Sequence, residues 1–433
     1  MKVLAIFLSL LLLASFLYAG DPKVEWHGLF YIYNFGHRNT DFTSATDDGN
    51  TYMYLHGDVN ATADFGNGVT AYVVLGAWGQ HGMSPYHGGG LGENIDPKVD
   101  IMQAYFTISH LWGSNFSFRI GKERLLYGDG AIMFDGGEDG AAGAKLMYNS
   151  DAFDVDLFYY RYAQMGGIMN VGTGLDVYPG NWNLIGIYPT IRLMQGNLRL
   201  SPYYVMRHIR TGADTLTMPQ WFGLRLEGSF MQGLNVAAEY TQMGGKDDVT
   251  DTNYKGYHMM VRADYTLPSV PFTLGAGYVV FSGDKTDTDK DNELYETATQ
   301  GPYTYGFYKD WPGFGPAHLM TTGWGFAGVN PWSATMSNLN MLDINAAYNF
   351  GAVSVRGDFF MYQKNWMPND DNKSMGNEIA LMLKYNYQET ITFGLTGGIW
   401  MPGDWQKSYI ETGNSSAKAE NALGGYFWLA KEF

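Results

Sequence analysis

Residues 220–230, QWFGLRLEGSF, alternate between apolar and polar side chains over their whole length. One face carries Phe222, Leu224, Leu226 and Phe230, and the other carries Arg225, Glu227 and Ser229. A period of two is typical of a β-strand with one apolar and one polar face. The same period runs through residues 51–65, 353–363 and 377–388. The pattern therefore predicts an all-β chain.

The lengths of the alternating segments and of their connections indicate a membrane barrel. The segments cover about 10–14 residues, which exceeds the usual soluble strand of about 5–6 and suits a tilted strand crossing a bilayer. Short Gly- or Asn-containing turns at 65–68, 149–151, 195–197 and 350–352 alternate with longer polar connections, such as 38–50, 80–98 and 246–254. This asymmetry is typical of outer-membrane barrels, which have short periplasmic turns and longer extracellular loops.

The predicted fold class is an all-β transmembrane antiparallel β-barrel of about eighteen strands, an even number as in closed bacterial barrels. Both termini are expected in the periplasm. The fourth strand is predicted over residues 99–111 and the fifth over residues 115–127. An exported soluble β-protein is the alternative, but two soluble sheets would not need so many long strands.

Composition narrows the function classes. The chain of 433 residues has 56 Gly, 32 Tyr, 25 Phe and 12 Trp, and 16% of its residues are charged. The absence of cysteine excludes disulfide scaffolds and thiol chemistry. A net charge of −16 argues against nucleic acid as a partner, because binding to phosphates needs basic residues. Since 45% of the residues are hydrophobic, the chain is also not a disordered acidic one.

Residues 1–19 have the features of a secretory signal peptide. Lys2 is followed by an apolar run, and Leu17-Tyr18-Ala19 forms a small-residue cleavage site of the A-x-A kind. An N-terminal membrane anchor is the alternative. We therefore assign residues 1–19 to the signal peptide and residues 20–433 to the barrel.

Alternation places a set of charged side chains on the polar, lumen-facing side of the strands. The basic members are Arg119, Lys145, Arg192, Arg199, Arg207, Arg225, Arg262, Arg356 and Lys384. The acidic members are Asp154, Asp156, Glu227, Glu239, Asp264, Asp343 and Asp358. These residues are the predicted pore lining, because a water-filled lumen accommodates charges that set the field along the pore. A ladder of ion pairs between adjacent strands that stiffens the wall is the alternative.

Aromatic residues near strand ends are typical of interfacial girdles. We predict this position for Trp26, Trp78, Trp112 and Trp400. The chain ends on Phe433 after an alternating strand, which resembles the signal read by the outer-membrane insertion machinery. The expected partners are therefore the bilayer of the outer membrane of a Gram-negative-type bacterium and that machinery.

Residues 103–161 resemble the alginate-export family of outer-membrane barrel porins. The resemblance lies in QAYFTI at 103–108, FRIGKERLLYGDG at 118–130, GAKL at 143–146 and DVDLFYYR at 154–161. Members of that family carry a strand that ends in a G-R-Q-x-x-x-Y-G-D type sequence, where this chain has Gly121, Lys122 and Glu123. The resemblance implies an eighteen-stranded barrel with an arginine-lined constriction that passes a polyanion. Strict alternation places Lys122 on the lipid side if Ile120 faces lipid, so either a bulge lies near Gly121 or Lys122 lies above the membrane band.

The connection over residues 285–338 is too long and too aromatic for an ordinary loop. It contains Tyr303, Tyr305, Phe307, Trp311, Phe314, Trp324 and Trp332. We expect it to fold inward as a constriction or to cap the mouth of the pore. The acids Asp287, Asp289, Asp291 and Glu293 at its start lack the EF-hand pattern. A looser calcium site and a solvated acidic loop are the alternatives there.

The predicted function is passive passage of a hydrophilic solute, either small molecules or an exported polysaccharide. Abundant Tyr and Trp offer ring faces for sugars, and the mixed charges favour weak selectivity. The nine histidines form no H-E-x-x-H pattern, so we expect no catalytic residue, no metal and no cofactor. A structural or adhesive barrel is the alternative, followed by a barrel enzyme.

Overall fold

The computed structural model describes residues 22–39, 49–82, 95–127, 133–134, 141–162, 180–211, 215–248, 250–285, 289–298, 338–367, 373–413 and 417–433. The predicted signal peptide at 1–19 lies outside these ranges. Residues 299–337, which hold the aromatic residues named above for the long connection, also lie outside them.

Eighteen long strands form the barrel. They are β1 Lys23–Arg38, β2 Gly49–Asp64, β3 Val69–Gly82, β4 Ile95–Ile108, β5 Phe116–Glu123, β6 Ala141–Asn149, β7 Phe153–Tyr162, β8 Gly180–Leu193, β9 Leu198–Thr211, β10 Gln220–Met231, β11 Leu234–Gly244, β12 Tyr257–Thr266, β13 Phe272–Phe281, β14 Leu339–Phe350, β15 Val353–Gln363, β16 Ser374–Tyr387, β17 Ile391–Pro402 and β18 Ala422–Glu432.

Each long strand pairs antiparallel with its neighbours in the chain, and the first strand also pairs with the last. The β1–β18 register runs from Leu29 opposite Glu432 to Arg38 opposite Leu423. The sheet is therefore closed, so backbone groups in the ladder are satisfied without a free edge. The predicted fold class is confirmed.

The two faces of the barrel differ in chemistry. Large apolar side chains such as Leu224, Val261 and Ile344 are exposed on one face, which we call the outer face. The opposite, inner face holds the charged side chains and most of the buried aromatic rings. An apolar outer face fits contact with lipid, since the closed ladder leaves that face only side chains to solvate.

The two ends of the barrel also differ. At one end, here the turn end, strands are joined by short turns such as 65–68, where Phe65 donates its amide to the carbonyl of Val69 at 3.0 Å. Gly68 has φ +80° there and packs against the backbone of Ser109, so glycine suits this position. The other, loop end carries the longer connections. It includes helix α1, Asp404–Gly413, and the short strands Leu126–Tyr127, Met133–Phe134, Thr215–Thr217, Lys246–Asp247, Thr252–Tyr254 and Asp291–Asn292.

Two predicted strands end earlier than expected. The fourth ends at Ile108, because residues 111–113 form a 3-10 turn. The fifth ends at Glu123 rather than at residue 127, because Leu126 and Tyr127 leave the wall and pair with Met133–Phe134. Leu125 is buried in the main apolar cluster inside the barrel. Burial of this apolar segment explains why its hydrophobic pattern extends beyond the strand.

Lys122 lies in an unbroken register. Strand β5 pairs with β6 from Phe116 to Glu123 without a shift. The irregularity lies in the neighbouring strand β4, next to Met102, where the pairing with β3 shifts. The Lys122 ammonium donates to the carbonyl of Ile101 at 2.7 Å, so the backbone of β4 solvates this amine.

The structure describes the side chains of three of the four tryptophans in the predicted aromatic girdle. Trp26 and Trp112 are exposed near the turn end. Trp400 is wrong, because its indole is buried on the inner face and donates to Gln406 Oε1 of α1 at 2.8 Å. The side chain of Trp78 lies outside the described part of the chain. Among the described residues, no helix has the length and apolar character needed to cross a membrane.

Candidate pore lining

All sixteen predicted lining residues lie on strands at inner-face positions, opposite the exposed apolar side chains. Many of them pair with each other. The pairs lie on strands β5 to β15, and Lys384 lies on β16. We call the inner face of strands β5 to β16 the charged arc. Their contacts fall into three groups.

The first group surrounds Glu123 on strands β5 to β7. Arg119 Nη1 is 2.7 Å from Glu123 Oε2, and Lys145 Nζ is 3.5 Å from the same oxygen. Lys145 also lies 3.7 Å from Asp156 Oδ2. The Tyr160 hydroxyl donates to the other oxygen of Glu123. Glu123 therefore joins two cations, although it was not among the predicted lining residues.

Arg225 is the centre of the second group, on strands β7 to β11. Its guanidinium lies 2.6 Å from Glu227 Oε2 on the same strand and 2.9 Å from Glu239 Oε2 on β11. Both Arg225 and Glu239 are buried. Arg199 reaches only to within 4.0 Å of Glu227 and is 59% exposed. Nearer the turn end, Arg192 pairs with Asp154.

The third group occupies strands β12 to β16. Arg262 Nε is 2.6 Å from Asp264 Oδ2, and Arg356 Nη2 is 2.7 Å from Asp358 Oδ1. These pairs connect residues two apart on one strand, whereas the sequence suggested pairing between adjacent strands. Asp343 is buried and accepts a hydrogen bond from Asn345 at 2.7 Å. The last cation of the set, Lys384, lies half-buried on β16.

Two buried acids of the inner face, Glu123 and Glu378, were missed in the sequence. With them the acids of this set number nine, which equals the number of its basic residues. The sequence held a signal for both, because alternation puts Glu123 on the face of Arg119 and Glu378 on the face of Lys384. The charged arc is thus balanced in formal charge.

The first part of the long connection lies inside the loop end of the barrel. Arg207 Nη2 on β9 is 2.9 Å from Glu296 Oε2, and the Trp221 indole on β10 donates to the Glu296 carbonyl at 2.7 Å. Tyr295 is fully buried, with its ring 5.4 Å from that of His258. Residues 294–298 are therefore fixed against strands β9 to β13, and we call them the inward segment. Arg207 therefore anchors the inward segment to β9.

Helix α1 is a second element at the loop end that packs against the inner face. Gln406 is buried beside Trp400, and Trp405 and Ile410 pack on the main apolar cluster. Lys364, directly after β15, places its ammonium 4.7 Å from the Trp405 ring centroid. Burial lowers the pKa of the Lys364 amine to about 8.

The connections at the loop end hold a network of lysines and acids. Lys246 Nζ is 2.5 Å from Asp251 Oδ1, and Lys290 contacts Oδ2 of the same carboxylate. Hydrogen bonds from Lys246 and Lys290 lower the pKa of the Asp251 carboxyl to about 2. Of the acids considered for calcium, Asp291 pairs with Lys255, whereas Asp287 lies outside the described residues. In those residues no cluster of three His, Asp or Glu side chains is placed to hold a metal ion.

Aromatic rings occupy the inner face where the first and last strands meet. Tyr31, Tyr33 and Phe35 alternate along β1, and Tyr426 and Trp428 face them from β18. Ring centroids within this group, which we call the aromatic arc, are 5.1–6.1 Å apart. The inner face thus carries a balanced charged arc and, where the barrel closes, an aromatic arc.

Solved barrels of the same architecture come from Pseudomonas aeruginosa. OccK9 (OpdG) superposes with a TM-score of 0.60 at 12% identity, covering 95% of this chain and 98% of that chain. OccK7 (OpdD) gives 0.56 at 11% identity, covering 96% and 99%. OprD gives 0.54 at 10% identity, covering 96% and 97%. The sequence matches no protein-family model and no curated protein.

These neighbours are outer-membrane porins, and at such identities the likeness shows the fold. It extends over nearly the whole of each chain and is not specific to alginate exporters. Closed barrels of this size with an apolar outer face reside in outer membranes. The chain therefore has the fold of an outer-membrane porin, and its predicted location in the outer membrane of a Gram-negative-type bacterium is confirmed.

Proposed function

We propose that the barrel is a passive outer-membrane channel for hydrophilic solutes, and that saccharides of low net charge are its preferred cargo. The observation that carries this proposal is the balance of the charged arc, in which seven of the nine predicted lining cations lie within 4.0 Å of a carboxylate of the arc. Arg225 and Arg356 are examples, each within 3 Å of an acid. Conduction needs weak binding at many positions, and paired charges provide it better than a row of single charges.

The balance also bears on which saccharide would pass. A polyanion would have to displace Glu227, Glu239 or Asp358 from their arginines before it gained contacts with the wall. Mono- or oligosaccharides without charge avoid that competition, and their hydroxyls can bond to either sign. The resemblance to alginate exporters favours a saccharide, whereas the charge balance favours neutral small saccharides over the exported polyanion.

The inward segment supports a constriction near the loop end. Its neighbours Arg207, Trp221, Met243, His258 and Phe281 belong to five different strands, so the segment crosses in front of a broad part of the wall. Burial raises the pKa of the Tyr295 phenol well above its usual range, which keeps this ring neutral. We propose that the segment narrows the channel, with a neutral tyrosine and with a glutamate that is paired to Arg207.

Planar bilayers and liposomes test the proposal. We expect the purified full-length protein to form stable channels with weak ion selectivity, and liposomes that contain it to swell faster in glucose than in glucuronate of equal concentration. Absence of conductance from correctly folded protein would refute the channel and favour a structural or adhesive barrel. Hydrolysis of lipid or peptide without conductance would favour an enzyme. Faster swelling in glucuronate would reject the preference for neutral sugars.

A further inference from the structure

The aromatic arc contains a pair of rings with the geometry of a binding platform. Tyr33 and Trp428 are directly opposite each other across the β1–β18 pairing. Their ring centroids are 6.1 Å apart and their planes differ by 28°, so the two rings are nearly parallel neighbours. Both are half-buried, whereas Tyr31, Phe35 and Tyr426 are buried. The pair therefore keeps exposed area that its neighbours have lost.

The neighbours hold the platform in place. Phe35 stacks on Tyr33 at 5.8 Å, and Tyr426 lies 5.7 Å from the same ring. The Trp428 indole lies against Gly394 of β17, where no larger side chain would fit. Rings fixed from three sides lose little conformational entropy on binding, which favours affinity.

A polar group lies further along the same wall. The Tyr31 ring stacks on His56 of β2 at 4.7 Å with planes 5° apart. His56 Nε2 is 2.6 Å from Asp58 Oδ1, and the Asp58 side chain retains 20% exposure. A carboxylate has about four acceptor sites, so this bond leaves capacity for hydroxyl donors. The register places Asp58 four residues from the level of Tyr33, about 13 Å along the strands.

We propose that Tyr33 and Trp428 form a saccharide subsite that stacks on the apolar face of a pyranose ring, and that Asp58 accepts hydroxyl hydrogen bonds from a later ring of the same chain. The ligand class is a neutral oligosaccharide, because one sugar ring does not cover the distance and because Asp58 repels an anion. This inference rests on the proposed channel and specifies its cargo. The subsite lies in the aromatic arc, outside the ion pairs of the charged arc.

The experiment uses cellotriose, a neutral trisaccharide whose equatorial substituents leave both ring faces flat. Cellotriose block of ion current is measured in planar bilayers, and cellotriose binding is measured by calorimetry on the detergent-solubilised full chain. We expect Trp428→Ala and Tyr33→Ala each to weaken block and binding about tenfold, the scale of one aromatic stacking contact. Trp428→Phe should recover much of the loss, and Asp58→Ala should weaken trisaccharide binding more than glucose binding.

Matched controls separate the subsite from other causes. Tyr240→Ala removes an exposed ring from the outer face and should change neither readout. Heat-modifiable gel migration confirms folding of each variant. Conductance without any effect of cellotriose, or unchanged binding in Trp428→Ala, would overturn the subsite and leave the channel standing. Binding that depends on Trp428 in a protein without conductance would support the subsite and refute the channel.

Discussion

The aromatic arc and the charged arc lie on one sheet with one alternation, but different interactions stabilise them. Ring packing stabilises the aromatic arc, and ion pairs stabilise the charged arc. The rings of the aromatic arc contact several equivalent neighbours, so loss of one ring leaves the others packed. The charged arc depends on particular partners, as Arg225 between Glu227 and Glu239 shows. Loss of one member there leaves a buried charge without compensation. The comparison teaches that a substitution in the charged arc destabilises its partners more than a substitution in the aromatic arc.

Removal of the central cation should give the largest effect. We expect Arg225→Met to lower the free energy of unfolding by about 3–5 kcal/mol, because the buried Glu239 loses its cation. Arg199→Met is the matched control, since it removes an arginine that is 59% exposed and 4.0 Å from the same Glu227. The control should cost less than about 1 kcal/mol. Urea unfolding in detergent measures both, and equal losses would contradict the distinction between buried and exposed members of the arc.

Deletion of the inward segment should change the conductance of the channel. Without residues 294–298 the loop end loses a buried obstruction, so we expect single-channel conductance to rise. Lys290→Ala is the control, because it breaks a contact of the same connection with Asp251 at the loop end. A correctly folded deletion with unchanged conductance would show that this segment does not limit the pore.

Selectivity should respond to exposed charge more than to paired charge. The double variant Arg356→Gln with Asp358→Asn removes both members of one pair and keeps the net charge. We expect its reversal potential in a salt gradient to stay at the wild-type value. Arg199→Gln removes one exposed cation and should shift the reversal potential in the direction of cation selectivity. A larger shift in the double variant would assign selectivity to the paired residues themselves.

Acidification should produce the smallest effect, in the connections at the loop end. The pKa of the Asp251 carboxyl is lowered to about 2. The stabilisation that ionised Asp251 gives to the loops is therefore fully present above the ordinary carboxyl pKa and is lost as the pH falls through about 2. We expect loop-driven current noise to be unchanged between pH 7 and about pH 4 and to rise only below that range. Asp251→Asn should show the raised noise already at pH 7. Noise that rises near pH 4 in the wild type would contradict the lowered pKa.

The sequence predicted the barrel well because strand alternation is a local property. Residues 220–230 alone assign Phe222 and Arg225 to opposite faces, and β10 has that arrangement. The strand count followed from repeating the same observation along the chain. The role of the charged residues as a pore lining stays a prediction, because their contacts show ion pairs and do not show that a solute passes them.

The partners of those residues were harder to predict. Arg207 meets Glu296, a contact between residues 89 apart that no periodic pattern marks. Trp400 was assigned to the girdle because the sequence shows that it lies near a strand end. The sequence does not show its contact with Gln406 of α1, which holds the indole on the inner face. The aromatic arc was also missed. Strand β1 carries Phe30 and Ile32 on the outer face and Tyr31 and Tyr33 on the inner face, so hydrophobicity does not distinguish its two sides.

The β1–β18 pairing has a consequence for assembly. Gly28 and Phe433 exchange two backbone hydrogen bonds at 2.8 and 3.0 Å, and the Phe433 ring covers Gly28. Contacts between chain positions this far apart form late, because a long loop must close first. Tyr33 and Trp428 lie on these two strands, so the platform comes into existence only at that last step. A chain whose ends have not yet met would lack the subsite, and sugar binding would thus report on completed closure as well as on transport.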